Sequence, residues 1–280
     1  MAWQLYKRAD REDLIEFLSK EEWGHVGFSS RLKEAKESVS SDTIYIRRSP
    51  SNDRRICEAL LYTKSGLLIP VLSRTETLLG PELSQMLFRK REKRRLHTIM
   101  GLRKDVESAQ RSIESAGRAS IIYYVMTLET PPPLIPSRSR VVCKRGKSQD
   151  AGMLYPLQKA YEIEEVLLDP NTFNSGACYS SLQKNLRREI IYYALIDGQV
   201  VAKAGTNARG FSFAQLGGVY TVTDVRNRGI AEQVLSVLLQ ELFEEGTGAS
   251  LFVKKDNIAA IALYRKLGFT LRDEFKIAYY

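Results

Sequence analysis

The chain has 280 residues, of which 44% are hydrophobic and 27% charged, and these are values of a globular protein rather than a disordered one. It contains no apolar run of about eighteen residues and no apolar segment near its start, so we predict neither a membrane span nor a signal peptide, and we expect a cytoplasmic protein. The cysteines Cys57, Cys143 and Cys178 are odd in number, widely spaced and distant from both histidines, which argues against a disulfide framework and against a metal site.

The first part of the chain alternates strand and helix patterns. In chain order we predict a helix at 11–19, strands at 43–47, 58–63 and 67–72 with a turn at Ser65-Gly66, a helix at 81–93, a strand at 97–100, a helix at 102–115 and a strand at 121–128. Four prolines then fall between positions 131 and 136, a composition typical of an extended, semi-rigid connector. Because the chain exceeds the usual size of one domain, we predict domains at 1–130 and 138–280, joined by a linker at 131–137.

The second part has its own order of elements. We predict a strand at 141–145, helices at about 149–167 and 178–188, a hairpin at 192–204 that turns at Asp197-Gly198, a strand at 215–223, a long helix after residue 231, a strand at 250–254, and a helix from Asn257 to the residue before Gly268. The Asp-Gly pair favours a tight hairpin turn, while Asn and Gly are preferred at the two ends of a helix.

A short motif, Arg226-x-x-Gly229-x-Ala231, separates the strand at 215–223 from the long helix. Successive backbone N–H groups, the positive end of the helix dipole and two arginines would together bind an anion such as a pyrophosphate. Gly229 permits unusual backbone angles and a close approach of the ligand. The motif alone is short enough to arise by chance, so a charged turn before a helix is the alternative.

The next helix carries two further polar side chains. Asn257 lies at its predicted start, and Tyr264 follows seven residues later, which is two helical turns. An amide and a phenol would therefore project from nearly the same face of this helix. The alternative for Tyr264 is an aromatic residue of the core.

The combined pattern of strand, arginine loop, long helix, strand and Asn-x-x-Ala-x-x-Leu-Tyr resembles the acetyl-CoA-binding half of the GNAT superfamily of N-acetyltransferases. The resemblance implies an α/β fold with a mixed, mostly antiparallel sheet flanked by helices. It also implies that the strand binds the pantetheine arm of acetyl-CoA, the loop its pyrophosphate, and that Tyr264 donates a proton to the departing thiolate. The cofactor-binding residues implied are Val219, Tyr220, Thr221, Arg226, Asn227, Arg228, Gly229, Ile230, Ala231 and Asn257.

The first part of the chain lacks the arginine motif, although its order of elements echoes that of the second part. It resembles the degenerate N-terminal domain of tandem GNAT proteins. The alternative is an unrelated α+β accessory domain. In either case we expect it to cover a sheet edge, shape the acceptor pocket or form a homodimer.

The resemblance implies an enzyme that moves an acetyl group to an amine by direct attack, without a metal. Many members carry a carboxylate on the strand before the arginine loop, and residues 213–223 contain none. Water, or one of Glu162, Glu164 and Glu165, would then accept the proton of the amine. The alternative function is a CoA-binding regulatory or interaction protein with little turnover.

The net charge of +9 is spread along the chain, with one dense cluster at Arg89–Arg95. Such a cluster could bind nucleic acid, although no nucleic-acid motif accompanies it, and a solvated helix face is the alternative. The acceptor itself, whether a small molecule or a peptide amine, is not distinguished by the sequence.

Overall fold

Strands and helices alternate in a computed structural model that describes residues 2–35, 42–50, 55–72, 95–113, 117–133 and 140–280. The strands are β1 (Gln4–Leu5), β2 (Thr43–Arg48), β3 (Ile56–Tyr62), β4 (Leu67–Val71), β5 (Thr98–Leu102), β6 (Ala119–Leu128), β7 (Val142–Arg145), β8 (Ile191–Ile196), β9 (Gln199–Arg209), β10 (Phe213–Thr221), β11 (Gly248–Lys254) and β12 (Thr270–Tyr279). The helices are α1 (Arg11–Ser19), α2 (Val26–Glu34), α3 (Arg103–Ile113), α4 (Ala151–Tyr161), α5 (Ser175–Arg188), α6 (Ile230–Glu244) and α7 (Ile258–Lys266).

The fold is α/β with a mostly antiparallel sheet and flanking helices, which confirms the predicted class. Only the β4/β5 and β10/β11 pairs have parallel registers among those recorded for the described strands. The predicted helix at 81–93 and all of the basic cluster Arg89–Arg95 except its last residue lie outside the described residues. None of the helices in the described ranges is long and apolar enough to cross a bilayer.

The chain forms two compact units. The first comprises Met1–Val125, Phe252–Asn257 and Leu271–Tyr280, and the second comprises Met126–Leu251 and Ile258–Thr270. The last ten residues group with the first unit because β12 pairs antiparallel with β5, from Phe275 opposite Leu102 to Tyr279 opposite Thr98. The domain boundaries at 130 and 138 remain a prediction.

In the first unit the strands lie in the order β1-β2-β3-β4-β5-β12-β6. Its core is built from side chains that alternate along β3, β4 and β5 together with one face of α3, since Leu60, Leu68, Ile99 and Val106 are fully buried in one cluster. The sequence patterns did not predict β1, α2 or β12, and the other described strands and helices of this unit lie within two residues of their predicted ends.

In the second unit the order is β11-β10-β9-β8-β7. The hairpin between β8 and β9 turns at Asp197 and Gly198, whose φ angles are 49° and 79°, so the predicted Asp-Gly turn is of the type that matches strand twist. Helix α6 packs its apolar face against β8, β9 and β10. The fully buried residues of that face are Val234, Leu235, Leu238, Leu239 and Leu242.

Each unit contains the same sequence of strand pairings. In the first, β2, β3 and β4 form an antiparallel meander whose last strand runs parallel to β5. In the second, β8, β9 and β10 form an antiparallel meander, and its last strand, β10, runs parallel to β11. Among the described elements a helix follows this parallel strand in each unit, α3 after β5 and α7 after β11. The echo between the two halves is therefore present in the topology.

Candidate functional site

Strand β10 continues after its pairing with β11 has ended. The parallel register stops at Leu216 opposite Leu251, while β10 runs on to Thr221. On its other side β10 pairs with β9, but the register shifts between Gly217 and Tyr220. Val219 therefore has no register partner among the described strands.

Two side chains form hydrogen bonds with the backbone of the bulge in β10. Gly218 has a φ of 61°, its N–H donates to the Tyr161 hydroxyl at 3.4 Å, and its carbonyl oxygen accepts from Lys203 Nζ at 2.9 Å. The same Nζ lies 4.7 Å from the centre of the Tyr161 ring. Lys203 and Tyr161 were missed by the sequence analysis. The available signal was a lysine between two alanines in the otherwise apolar stretch 200–205 of β9.

Lys203 is 4% exposed, which is exceptional for a lysine. Burial lowers the pKa of Lys203 to about 8, while Cys178 and Glu162 oppose that shift. Burial also raises the pKa of the Cys178 thiol to about 11, and a hydrogen bond with Glu162 adds to that change. The ammonium thus lies in an enclosed polar cluster beneath the bulge.

The arginine motif forms a turn with two left-handed residues. Asn227 has a φ of 62° and Gly229 a φ of 73°. Helix α6 begins at Ile230, and the first N–H that bonds back along it belongs to Gln233, which donates to Gly229 at 3.2 Å. The preceding N–H groups at 230–232 have no acceptor within the helix, so this turn presents donors at the positive end of a helix dipole.

Arg226 is held by a carboxylate from another element. Its Nε donates to the Thr221 carbonyl oxygen at 2.9 Å, and its Nη2 donates to Glu164 at 2.9 Å. Glu164 lies in a π-helical turn, Glu162–Val166, that continues α4, and it also accepts from the Tyr220 hydroxyl at 2.6 Å. These two hydrogen bonds lower the pKa of Glu164, and Glu164 raises the pKa of Arg226.

Tyr264 lies in α7 and is 7% exposed. The helix ends as predicted: Gly268 has a φ of 94°, and the N–H groups of Phe269 and Gly268 donate to the carbonyls of Tyr264 and Arg265, both at 3.0 Å. Burial raises the pKa of Tyr264, with further contributions from Tyr161 and Glu165. The phenol is therefore protonated at neutral pH and is able to donate.

Most of the predicted site residues fall in the second unit, namely Val219, Tyr220, Thr221, Arg226, Asn227, Arg228, Gly229, Ile230, Ala231 and Tyr264. Asn257 directly precedes α7 and groups with the first unit, where its N–H donates to Lys254 at 3.1 Å. Of the three candidate bases, Glu162 accepts a hydrogen bond from the side chain of Gln158 at 3.2 Å. Glu164 accepts hydrogen bonds from Tyr220 and Arg226. The negative charge of Glu165 adds to the raised pKa of Tyr264. Across the described ranges no three His, Cys, Asp or Glu side chains form a group that could hold a metal ion.

A model of the Acetyltransferase (GNAT) family matches residues 160–269, a range that contains the bulge, the arginine turn and Tyr264. No curated protein matches the sequence.

The whole chain is similar to several solved structures. A Drosophila protein has 14% identity and a TM-score of 0.66, with 99% of this chain and 98% of that one covered. A GCN5-related N-acetyltransferase from Sphaerobacter thermophilus has 16% identity and a TM-score of 0.60, with coverage of 99% and 94%. A tandem GNAT protein from the clavulanic acid biosynthesis pathway has 11% identity and a TM-score of 0.60, with coverage of 99% and 98%. At these identities the likeness shows the fold, and it extends over both halves of the chain. Residues 160–269 therefore match the acetyltransferase (GNAT) family, and the whole chain is similar in fold to a tandem GNAT protein.

Proposed function

We propose that this protein binds acetyl-CoA in its second unit and transfers the acetyl group to an amine. The observation that carries the proposal is the combination, in one unit, of an unpaired stretch of β10 with the N–H-rich turn that opens α6. The first suits the amide groups of a pantetheine arm, and the second suits a pyrophosphate. The family match over residues 160–269 supports the same assignment.

Each part of the cofactor then has a proposed set of partners. Val219 and its neighbours Tyr220 and Thr221 would bind pantetheine through their backbone, as an added strand would bind. Residues 226–231 would bind the pyrophosphate, mainly through the N–H groups of Asn227 to Ala231. Asn257, at the start of α7, would lie beside the cofactor.

The proposed chemistry is direct attack of the amine nitrogen on the thioester carbonyl carbon. The carbon–sulfur bond breaks, the electron pair passes to sulfur, and Tyr264 donates its proton to the departing thiolate. General acid catalysis of this kind contributes on the order of 10²- to 10⁴-fold to a rate. The amine gives up its own proton to water or to one of Glu162, Glu164 and Glu165.

A second candidate function is an acyl-CoA-binding protein with little turnover. Two observations favour it: β10 carries no acidic residue, and the Glu164 carboxylate already accepts from Tyr220 and Arg226. The acceptor, a small-molecule or peptide amine, stays a prediction. So do the accessory role of residues 1–130, a homodimer, nucleic-acid binding through Arg89–Arg95, and the cytoplasmic location.

Binding and turnover separate the two candidates. Acetyl-CoA is titrated into the protein by calorimetry, and free thiol is then followed with a panel of amines. Arg226→Glu should weaken acetyl-CoA at least tenfold, while Arg187→Glu, an equal charge change on an exposed residue of α5, should not. If the unaltered protein binds no acetyl-CoA, both candidates are wrong. If it binds but no amine releases thiol, the enzyme is rejected and the binding protein remains.

A further inference from the structure

The bulged peptide of β10 is bonded by side chains rather than by a neighbouring strand. A β-bulge leaves its extra residue out of the hydrogen-bond ladder, so buried backbone groups at that point need other partners. At Gly218 both groups have one: the N–H donates to Tyr161 from α4, and the carbonyl accepts from Lys203 of β9. The Gly218 carbonyl and the Val219 N–H belong to one planar peptide and point in opposite directions, so the bond to Lys203 also fixes the direction of the Val219 N–H.

Lys203 is directed at the bulge by the strand register. It lies opposite Tyr220, and directly opposed residues of antiparallel strands point to the same face of the sheet. The ring of Tyr161 covers the ammonium on that face, with 4.7 Å between Nζ and the ring centre. A methyl group at position 218 would lie 2.9 Å from Nζ, so the space between the lysine and the bulge is fully used.

Enclosing this ammonium costs free energy. The lowered pKa of Lys203 expresses that cost, because the folded protein disfavours the charged form. The titratable groups that face it are Tyr161 and Glu162 on the helical side and Cys178 of α5. An apolar side chain would avoid the cost, and the flanking Ala202 and Ala204 show that the strand accepts apolar residues at buried positions.

We propose that Lys203 is a positioning residue of the acyl-CoA site, which together with Tyr161 fixes the Gly218 peptide so that the backbone of Val219 is turned to the ligand. The inference deepens the proposed function and rests on it. The bond from a charged donor to the Gly218 carbonyl is stronger than a neutral one, so protonated Lys203 fixes the bulge best. Affinity for acetyl-CoA should therefore fall as the pH rises through about 8, the pKa of Lys203.

The test compares Lys203→Met with Lys159→Met, an exposed lysine of α4 used as control. We expect Lys203→Met to weaken acetyl-CoA about tenfold, in line with loss of one hydrogen bond to a charged group, and to abolish the pH dependence near 8. Its melting temperature should change little, because losing the cost of enclosing the charge offsets losing the hydrogen bond to the Gly218 carbonyl. Lys203→Arg should recover part of the affinity, and Tyr161→Phe should weaken binding two- to threefold while keeping the aromatic ring.

Other outcomes overturn the inference. It is wrong if Lys203→Met keeps normal affinity and pH dependence, or if its affinity and melting temperature fall together, which would indicate a structural role. Amide hydrogen exchange at residues 217–221 of the free protein gives a reading that needs no ligand. If the unaltered protein does not bind acetyl-CoA, the proposed function fails. Unchanged exchange at these amides in Lys203→Met would then separately reject the positioning role of Lys203.

Discussion

The Glu164 carboxylate forms a salt bridge with the guanidinium of Arg226, with 2.9 Å between Oε2 and Nη2. Arg226 is also the first residue of the turn that we propose for the pyrophosphate. Both side chains are 43% exposed. Exposed ion pairs of this kind contribute about 0–1 kcal/mol, so a phosphate group can displace the carboxylate at little cost. Binding of acetyl-CoA would then free Glu164 from one of its two partners.

This relationship predicts the effect of Glu164→Gln on cofactor binding. The variant keeps an acceptor for Tyr220 but removes the charge that competes for Arg226, so the affinity for acetyl-CoA should rise about two- to fivefold, a range set by the small energy of such pairs. Calorimetry at low and high salt measures the change, which should shrink as salt rises. Glu244→Gln, on an exposed residue at the far end of α6, is the control. A weaker affinity in Glu164→Gln would show that Glu164 organises Arg226 for the ligand instead of competing with it.

Tyr264→Phe is expected to separate turnover from binding. It removes a buried, protonated hydroxyl and leaves the ring that packs edge-on against Phe269 at 5.8 Å. The rate of thiol release should fall on the order of 10²-fold or more, while the acetyl-CoA dissociation constant changes less than about twofold. Stopped-time thiol assays with the best amine of the panel, together with calorimetry, measure both. An unaltered rate would remove Tyr264 from the role of acid.

Gly229→Ala should lower both stability and cofactor affinity. Its φ of 73° lies in the left-handed region, where an alanine costs about 1–2 kcal/mol. Gly246→Ala provides a matched control, because Gly246 has a φ of 71° at the other end of α6 and open space around it. Both variants should melt at lower temperature by a similar amount, but only Gly229→Ala should bind acetyl-CoA several-fold more weakly. Equal affinities in the two variants would contradict a pyrophosphate site at this turn.

Two buried side chains of the first unit, His25 and Asp105, should make stability depend on pH in opposite directions. Burial lowers the pKa of His25 to about 4, so the unfolded chain takes up a proton first and stability is lost as the pH falls from 6.5 towards 4. Burial raises the pKa of Asp105 to about 7, so the folded chain binds the extra proton and stability is lost as the pH rises from 3.8 towards 7.

In the Asp105→Asn variant the pH dependence of stability should come mainly from His25. The variant should be more stable than the unaltered protein at pH 7.5, and its stability should fall more steeply between pH 6.5 and 4, with each effect up to about 3 kcal/mol. Urea unfolding followed by tryptophan fluorescence reports on this unit, since Trp3 and Trp23 both belong to it. An identical pH profile in the variant would show that Asp105 is not protonated in the folded protein.

The local chemistry of the sequence determined the elements and the main binding motif. Helix 11–19, the Asp197-Gly198 turn, the opening of α6 by the arginine motif and the end of α7 at Gly268 each follow from residues within a few positions, and the structure confirms them. Turn and cap preferences act over one or two residues, which is why a sequence reveals them.

Pairings between distant segments were decided only by the tertiary structure. β12 joins β5 although about 170 residues separate them, and nothing in either segment specifies that partner. In the same way the π-helical turn brings Glu164 to Arg226, and the register of β9 brings Lys203 beneath Gly218. Long-range contacts of this kind depend on how whole strands and helices pack, so the sequence supplied the cofactor motif while packing supplied the charged residues that surround it.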